Sequence, residues 1–524
     1  MTSAMLPLRT SWRLVGILGA AAGLAVGELL AGFVGPDSSP YFAVAAAVAD
    51  LTPRPVKDAA IGLLGPADKL LLLAGLALVL GVCAALVGQL TERAPRLALA
   101  AIACLGAIGM ISAVTRPDAR PADVLPSLVA AVVAGVTMRG LGGLIEPGAD
   151  DTPRESGSAA TPSPAEQEFP RRRLLVTGGL VAAGAVSTAV LGRWLASERF
   201  GAARSRAGVR LPDPVERAAS SSLDPAASIR GLSRFQTANE DFYRVDTALT
   251  VPQLAAEDWE LRIHGMVRRP LRLSYQQLLQ RPLIERDITL ACVSNPVGGP
   301  YVGNARWTGA RVADLLREVG VDPAADQVVS RSHDGMTIGT PTAALTDGRD
   351  AMLAVAMNGE PLPLEHGFPV RMVVPGLYGY VSACKWLVDL ELTTFDRYDA
   401  YWINQGWAER AAVKTASRID TPHDGARQGA GLVTVAGVAW AQHRGIDRVE
   451  VRVDDGPWAE AELAAVPSVD TWRQWFYRWR AEPGRHRLRV RATDGHGAPQ
   501  TTVRRDVYPS GATGLHEVTV TIVP

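Results

Sequence analysis

The pattern of apolar and polar positions changes character near residue 195. Before it, long apolar stretches alternate with short polar ones. The first is Trp12–Val34, with Glu28 as its one internal acid. Leu70–Leu90, Leu97–Val114 and Val124–Ile145 follow, and Leu174–Leu191 is the fifth. Each is close to the roughly 20 residues that a helix needs to cross a bilayer. Tyr41–Ala49 is apolar but shorter, and reads as an interfacial segment. The pattern predicts an N-terminal multi-span α-helical membrane domain over 1–145 and a fifth transmembrane helix over 174–195.

Between them, 146–173 is rich in Pro, Ser, Ala, Gly, Asp and Glu and ends in Arg171-Arg172-Arg173. Such a composition cannot build a core and predicts a disordered linker. The arginines also orient the chain. With the N-terminus inside, Arg9 and Arg13, Arg93 and Arg96, and the triple arginine all fall on the cytoplasmic side, as the positive-inside rule requires. Arg116 and Arg120 fall outside, partly offset by Asp118. Five spans then place the remainder outside the cytoplasm. The triple arginine before an apolar stretch also fits a twin-arginine export signal, the route for already folded domains.

After the last span, 196–235 is rich in Arg, Ala and Ser and predicts a tether. Globular patterning starts near Phe242. Trp259–Val267 alternates like a strand. Tyr275–Leu279 reads as a short helix capped by Ser274. Ile288–Val293 reads as an apolar strand and Val312–Val319 has helical spacing. Strands and helices without a regular βαβ period predict an α+β domain, here over 236–425. In 426–524 the period becomes two. Val433–Trp440, Val449–Asp454, His486–Thr493 and His516–Val523 alternate, with Asp454-Asp455-Gly456 and Asp494-Gly495 as turns. This predicts an all-β immunoglobulin-like sandwich without a cysteine pair.

Charge narrows the function. Lys+Arg and Asp+Glu are both 53, so nothing points to a nucleic-acid partner. The four cysteines form no disulfide framework, although a Cys292–Cys384 bridge is open on sequence. No histidine precedes His264, so the apolar helices cannot hold a haem between paired histidines. There is no C-x-x-C-H, no cysteine cluster, no H-E-x-x-H and no P-loop. Electrons would have to enter or leave through another molecule.

Two stretches carry candidate chemistry. Ile288–Cys292 ends an apolar strand at the polar, Gly-rich loop Ser294–Asn304. A cysteine there is either a small buried hydrophobe or a soft thiolate ligand for a metal. The second stretch runs from Asn358 through His366, Arg371 and Gly376 to Lys385-Trp386. Cationic and donor groups on tight loops suit a phosphate.

Taken together, these segments resemble the sulfite oxidase family of molybdopterin-dependent oxidoreductases, in particular its bacterial membrane-linked members. The matching stretches are NEDFYRVDTALTVP (239–252), ITLACVSN with Cys292, MNGEPLPLEHGFPVRMVVPGLYGYVSACKWL (357–387), and the sandwich segments 437–458 and 489–500. The resemblance implies that Cys292 is the thiolate ligand of molybdenum and the catalytic centre. One pterin would supply the remaining sulfur ligands. Asn239, Asp246, His366, Arg371 and Lys385 would hold the pterin and its phosphate. It further implies a homodimer through the C-terminal sandwich.

The chain also departs from the family. Sulfite-oxidising members carry arginines in a C-x-G-N-R-R pattern, where this chain reads Cys292-Val-Ser-Asn295-Pro296-Val297. The tyrosine of the family's L-A-Y-E-M-N-G pattern is Val355 here, and no arginine before Trp472 matches the one that lines the sulfite pocket. Arg244 and Arg306 are the candidates to compensate. The expectation is a multi-pass cell-membrane enzyme with its catalytic domain outside the cytoplasm. It would carry molybdenum-molybdopterin without haem and transfer oxygen atoms to or from a neutral or organic small molecule. Its electron partner would be an external carrier or quinone. Sulfite oxidation is the alternative, and a cofactor-free tethered interaction module is a third reading.

Overall fold

The computed structural model describes residues 8–53, 56, 68–116, 119–145, 164–219 and 224–524. They fall into two compact units, 1–201 and 202–524.

The first unit is helical: α1 (Leu8–Val34), α2 (Pro40–Leu51), α3 (Asp68–Arg93), α4 (Pro95–Val114), α5 (Leu125–Gly142) and α6 (Pro164–Phe200). Among the described residues, five helices are long and apolar enough to cross a membrane, and α2 is the short apolar one. Small residues let α1 meet its neighbours. A Cβ added at Gly16 of α1 would lie 2.0 Å from the Ala84 carbonyl oxygen of α3, and one at Gly192 of α6 would lie 2.6 Å from that of Glu28. Close backbone approach of this kind is how helices pack when no water drives them together. The Glu28 carboxylate accepts a hydrogen bond from Ser39, the residue that caps α2.

The second unit starts with α7 (Ala202–Gly208) and holds nineteen strands among its described residues. The part that carries the candidate residues has two sheets. Its strands are β1 (Glu260–Gly265), β2 (Leu271–Ser274), β3 (Leu283–Ala291), β4 (Val302–Arg311), β5 (Gln327–Ser332), β6 (Thr337–Pro341), β7 (Met352–Met357), β8 (Glu360–Pro361), β9 (Arg371–Val373) and β10 (Leu387–Thr393). One sheet has the order β3-β4-β7-β8, with β9 also paired to β7. The other has the order β2-β1-β10-β5-β6, and β1 runs parallel to β10. Helices α8 (Tyr275–Leu279), α9 (Val312–Val319), α10 (Thr342–Thr346) and α11 (Tyr401–Asn404) fill the connections. Ser274 and Gln277 form a reciprocal cap at the start of α8. Trp259, Trp307, Trp386 and Phe368 are fully buried between these elements.

The remaining strands are β11 (Ala416–Thr421), β12 (Arg427–Gly429), β13 (Gly431–Trp440), β14 (Ile446–Val453), β15 (Trp458–Glu460), β16 (Glu462–Leu463), β17 (Arg473–Ala481), β18 (Gly484–Asp494) and β19 (His516–Val523). They make two sheets, β11-β13-β17-β16 and β12-β19-β18-β14-β15. Val435 and Trp475 of one sheet and Val449, Val490 and Val520 of the other share a single core. The alternation read from the sequence is the consequence: every second side chain faces the opposite sheet.

Two segments differ from the sequence reading. The proposed linker 146–173 is helical from Pro164 onward, while 146–163 lies outside the described residues. Composition averaged over the whole stretch hides the change from Pro/Ser/Gly to the helix formers Ala165-Glu166-Gln167-Glu168. The proposed tether is not loose either. Ala202, Leu232 and Phe235 are buried, Val215 donates its N–H to the Leu283 carbonyl at 2.8 Å, and Glu216 pairs with Arg286 and with Arg311 at 2.7 Å. Its few apolar residues lie too far apart for periodicity to reveal them. Backbone and charge contacts hold the rest.

Candidate active site

Cys292 directly follows β3. Its N–H donates to the Tyr301 carbonyl at 2.9 Å, and its own carbonyl accepts from Asn295 N–H at 3.1 Å, which closes a tight turn. Asn295 Oδ1 accepts from Tyr301 N–H at 2.8 Å and ties the far side of the loop back to the turn. The cysteine sulfur lies 2.9 Å from Ser294 Oγ. Burial pushes the Cys292 thiol up, while the Ser294 hydroxyl and the N–H groups of Ser294 and Val293 pull it down. Cys292 and Cys384 are both free thiols, so the open bridge is not formed.

The second stretch brings cations to the same place. His366 ends a short 3-10 turn and is buried. Its Nε2 is 2.9 Å from the Asn239 carbonyl oxygen, which can only accept, so Nε2 carries the proton. Burial lowers its pKa to about 4, so the imidazole is neutral at pH 7. Arg371 opens β9. Its Nη1 donates to the His366 carbonyl at 3.1 Å, and its guanidinium lies 4.9 Å from the centroid of the Trp307 ring. Lys385 Nζ donates to Asp246 at 2.7 Å, and burial lowers its pKa to about 8. Gly367, at φ 108°, makes room for both: a Cβ there would lie 3.0 Å from the Lys385 Cβ and 3.1 Å from the Arg371 Cβ.

One cavity is lined by Asp246, Cys292, His366, Arg371 and Lys385, with Tyr243, Ser294, Ser332, Tyr380, Cys384, Trp402 and Trp407. Two of its buried polar atoms, Arg371 Nε and Ser332 Oγ, have no hydrogen-bond partner. No carboxylate pairs with Arg371 among the described residues. A buried guanidinium without a counterion is costly, and a bound anion with several acceptor oxygens removes the cost. Among the described residues no three His, Cys, Asp or Glu side chains gather to hold a metal ion. A metal at Cys292 would therefore need ligands brought by its own cofactor, and the donor set fits a phosphate-bearing group that carries them. One end of the cavity is aromatic: the rings of Tyr380 and Trp407 lie 5.9 Å apart and those of Trp402 and Trp407 6.4 Å apart.

Five of the six sequence candidates thus share one cavity. Asn239 is the correction. Its side chain does not line the cavity but bonds Glu360 and Asn358, and only its carbonyl reaches the site, through His366. Both compensating arginines are paired with carboxylates: Arg306 with Asp287 at 2.9 Å, away from the cavity, and Arg244 with the cavity residue Asp246 at 2.7 Å. Val355 is fully buried in the core. Ser294, Ser332, Tyr243 and the two tryptophans escaped the sequence reading. Only the aromatic run Tyr401-Trp402 to Trp407 carried a signal that could have flagged its members.

Residues 248–402 match the oxidoreductase molybdopterin binding domain family. Over 296 residues the chain is 32% identical to mitochondrial sulfite oxidase of Drosophila melanogaster, covering 47% of this chain and 51% of that one. It is 34% identical over 152 residues to the uncharacterized oxidoreductase YuiH of Bacillus subtilis, covering 29% of this chain and 73% of that one. Among solved structures it is similar to the sulfane dehydrogenase SoxCD from Paracoccus pantotrophus. That likeness has 23% identity and a TM-score of 0.49, covering 63% of this chain and 96% of that one. The chain spans about half the length of the curated sulfite oxidases it matches. By the matched domain and these relatives, the chain belongs to the sulfite oxidase family of molybdopterin-dependent oxidoreductases.

Proposed function

We propose that this oxidoreductase is membrane-anchored and extracytoplasmic, and that it transfers oxygen atoms to or from a neutral or organic substrate at a molybdenum bound by Cys292. The observation that carries the reading is the Cys292 thiol, half-buried at a strand end, in the same cavity as a buried guanidinium that has no counterion among the described residues. Molybdenum supplies the two-electron chemistry when bound, and the protein supplies binding, orientation and electrostatics. Arg371, Lys385, Ser332 and His366 would hold the pterin and its phosphate. Asp246 keeps Lys385 charged and placed, and the Asn239 carbonyl fixes the His366 ring.

The substrate preference rests on what surrounds the thiol. An anion such as sulfite calls for charge-assisted donors. The cavity's two charged donors, Arg371 and Lys385, are assigned here to the cofactor, and Arg244 and Arg306 are paired with carboxylates. Trp402, Trp407, Tyr380, Met336 and Ile338 offer an aromatic and apolar lining instead. Sulfite oxidation remains the second reading, favoured by the names of the relatives. Five apolar helices and the cytoplasmic bias of their arginines support anchoring with the catalytic part outside. We read the C-terminal sandwich as immunoglobulin-like and dimerising. The electron partner would be a separate carrier or a quinone, and no haem is expected.

Metal and pterin analysis of the purified protein and of Cys292→Ser tests the reading. Stoichiometric molybdenum with pterin in the wild type, and loss of activity in the variant, are expected. Wild-type protein without molybdenum, from a host that makes the cofactor, would overturn it and favour a cofactor-free interaction module. Dye-coupled assays with sulfite and with a sulfoxide separate the two enzyme readings.

A further inference from the structure

The residue two positions after the cysteine is glycine in the C-x-G-N-R-R pattern of the sulfite-oxidising members and Ser294 in this chain. Its hydroxyl, which in a turn commonly bonds a nearby backbone group, here faces the thiol. It lies 2.9 Å from the Cys292 sulfur. The turn that bears both residues is fixed. Cys292 carbonyl accepts from Asn295 N–H, Cys292 N–H donates to Tyr301, and Asn295 Oδ1 accepts from Tyr301 N–H. Ser294 lines the same cavity as the thiol. The fixed turn sets the backbone of the pair side by side, and the contact itself is made by their two side chains.

A thiol can donate to an oxygen or accept from one, but a thiolate can only accept. With a metal on the sulfur, the Ser294 O–H must be the donor. The N–H groups of Val293 and Ser294 also face that sulfur. A hydrogen bond to a ligand sulfur withdraws electron density from it and weakens its donation to the metal. Such outer contacts tune reduction potentials.

We infer that Ser294 is a positioning residue that tunes the Cys292 thiolate, donating a hydrogen bond to its sulfur and so raising the reduction potential of the metal bound there. This rests on the proposal that Cys292 is the metal ligand. It concerns a position at which the chain departs from the pattern of the sulfite-oxidising members, where glycine has no hydroxyl to offer. The effect is on the metal's electronics and on the orientation of the Cys292 side chain, so activity alone is a poor readout.

The test uses the full-length, cofactor-loaded protein and its Ser294→Ala, Ser294→Gly and Ser294→Thr variants. Molybdenum content is measured first, then the midpoint potential by titration of the molybdenum(V) paramagnetic signal. Loss of the hydroxyl should lower the potential. A tenfold change in the reduction equilibrium corresponds to about 59 mV for a one-electron couple, and a shift of that order is expected for Ala and Gly. Thr keeps the hydroxyl and should restore the wild-type potential and g-values. Unchanged potentials and g-values in fully loaded Ala or Gly protein overturn the inference, as does a Thr variant that behaves like Ala. If Ala loads poorly, Gly, the residue of the sulfite-oxidising members' pattern, carries the measurement. Absence of molybdenum from the wild type overturns the underlying reading instead, so the two failures are distinct.

Discussion

Trp472 donates its backbone N–H to Thr289 Oγ1 at 2.7 Å, and so the sandwich grips the strand that ends in the candidate ligand Cys292. The grip is complete at this residue. Thr289 N–H donates to the Asp470 carbonyl at 3.0 Å, Thr289 carbonyl accepts from Gln442 Nε2 at 2.9 Å, and Thr289 Oγ1 donates to Asn304 Oδ1 at 2.9 Å. Thr289 is 1% exposed, so a lost partner cannot be replaced by water. The cysteine is thereby held by both parts of the unit.

Thr289→Val keeps the shape and removes the hydroxyl. It leaves the Trp472 N–H and Asn304 Oδ1 each short of a partner in the interior. A loss of about 2–6 kcal/mol of stability is expected, at about 1–3 kcal/mol for each buried unsatisfied group. A thermal melt of the detergent-solubilised protein should show it, together with a lower molybdenum content. An unchanged melt would mean that the two hydroxyl contacts do not hold the strand.

Arg371→Met should separate folding from loading. In cofactor-free protein the change removes a buried, uncompensated charge and leaves a side chain of similar volume, so the melting temperature should stay level or rise. In a cofactor-competent host the same variant should retain less than a tenth of the wild-type molybdenum. A variant that loads normally would free Arg371 from the role proposed for it.

The pH response of cofactor-free protein has a definite sign. Lys385 titrates near 8 in the fold against an ordinary 10.5, because burial disfavours its charge. From this group the unfolded chain binds more protons between pH 8 and 10.5, so its contribution to stability rises with pH across that window, while the Cys292 and Cys384 thiols, pushed up by burial, act with the opposite sign at its alkaline end. Lys385→Met should flatten the rise. His366, lowered to about 4 from 6.5, gives the same sign at acid pH: stability falls as the pH drops from 6.5 towards 4. Phosphate bound at Lys385 raises its pKa, so loaded protein should lose the alkaline rise.

Val355→Tyr returns the residue of the family's pattern but should not return its chemistry. Val355 is fully buried in β7, with no space for a ring. Overpacking of a core of this kind costs about 1–3 kcal/mol. The variant should melt lower and show no gain in sulfite-dependent dye reduction. A gain in that assay would favour the second reading of the substrate.

How much of this was legible in the sequence follows from how far each interaction reaches. The Ser274 cap, the period-two strands of the sandwich and the strand leading to Cys292 are local, and each was read from neighbouring residues. The cavity brings together positions more than 150 residues apart, such as Tyr243 and Trp407, and pairing of this range has no local signature. Asp246, Cys292, His366, Arg371 and Lys385 were found because their segments resemble a family, not because spacing required it. Asn239 lies outside the cavity lining and meets it through its backbone carbonyl, a contact that every residue can make and no sequence pattern marks. The segment from 202 to 235 was misread because its anchors are a few ion pairs and hydrogen bonds and not an apolar stripe.

That segment bears on where the chain can be cut. Glu216 closes a four-membered ionic knot, with Arg286 and Arg311 each shared between it and Asp350. A soluble enzyme trimmed to begin at residue 236 would strand two arginines with one acid between them and uncover the edge of β3 at Leu283 and Glu285. The unit that carries the candidate site starts at Ala202, and separating it from the helical unit without unravelling calls for a cut on the N-terminal side of that residue.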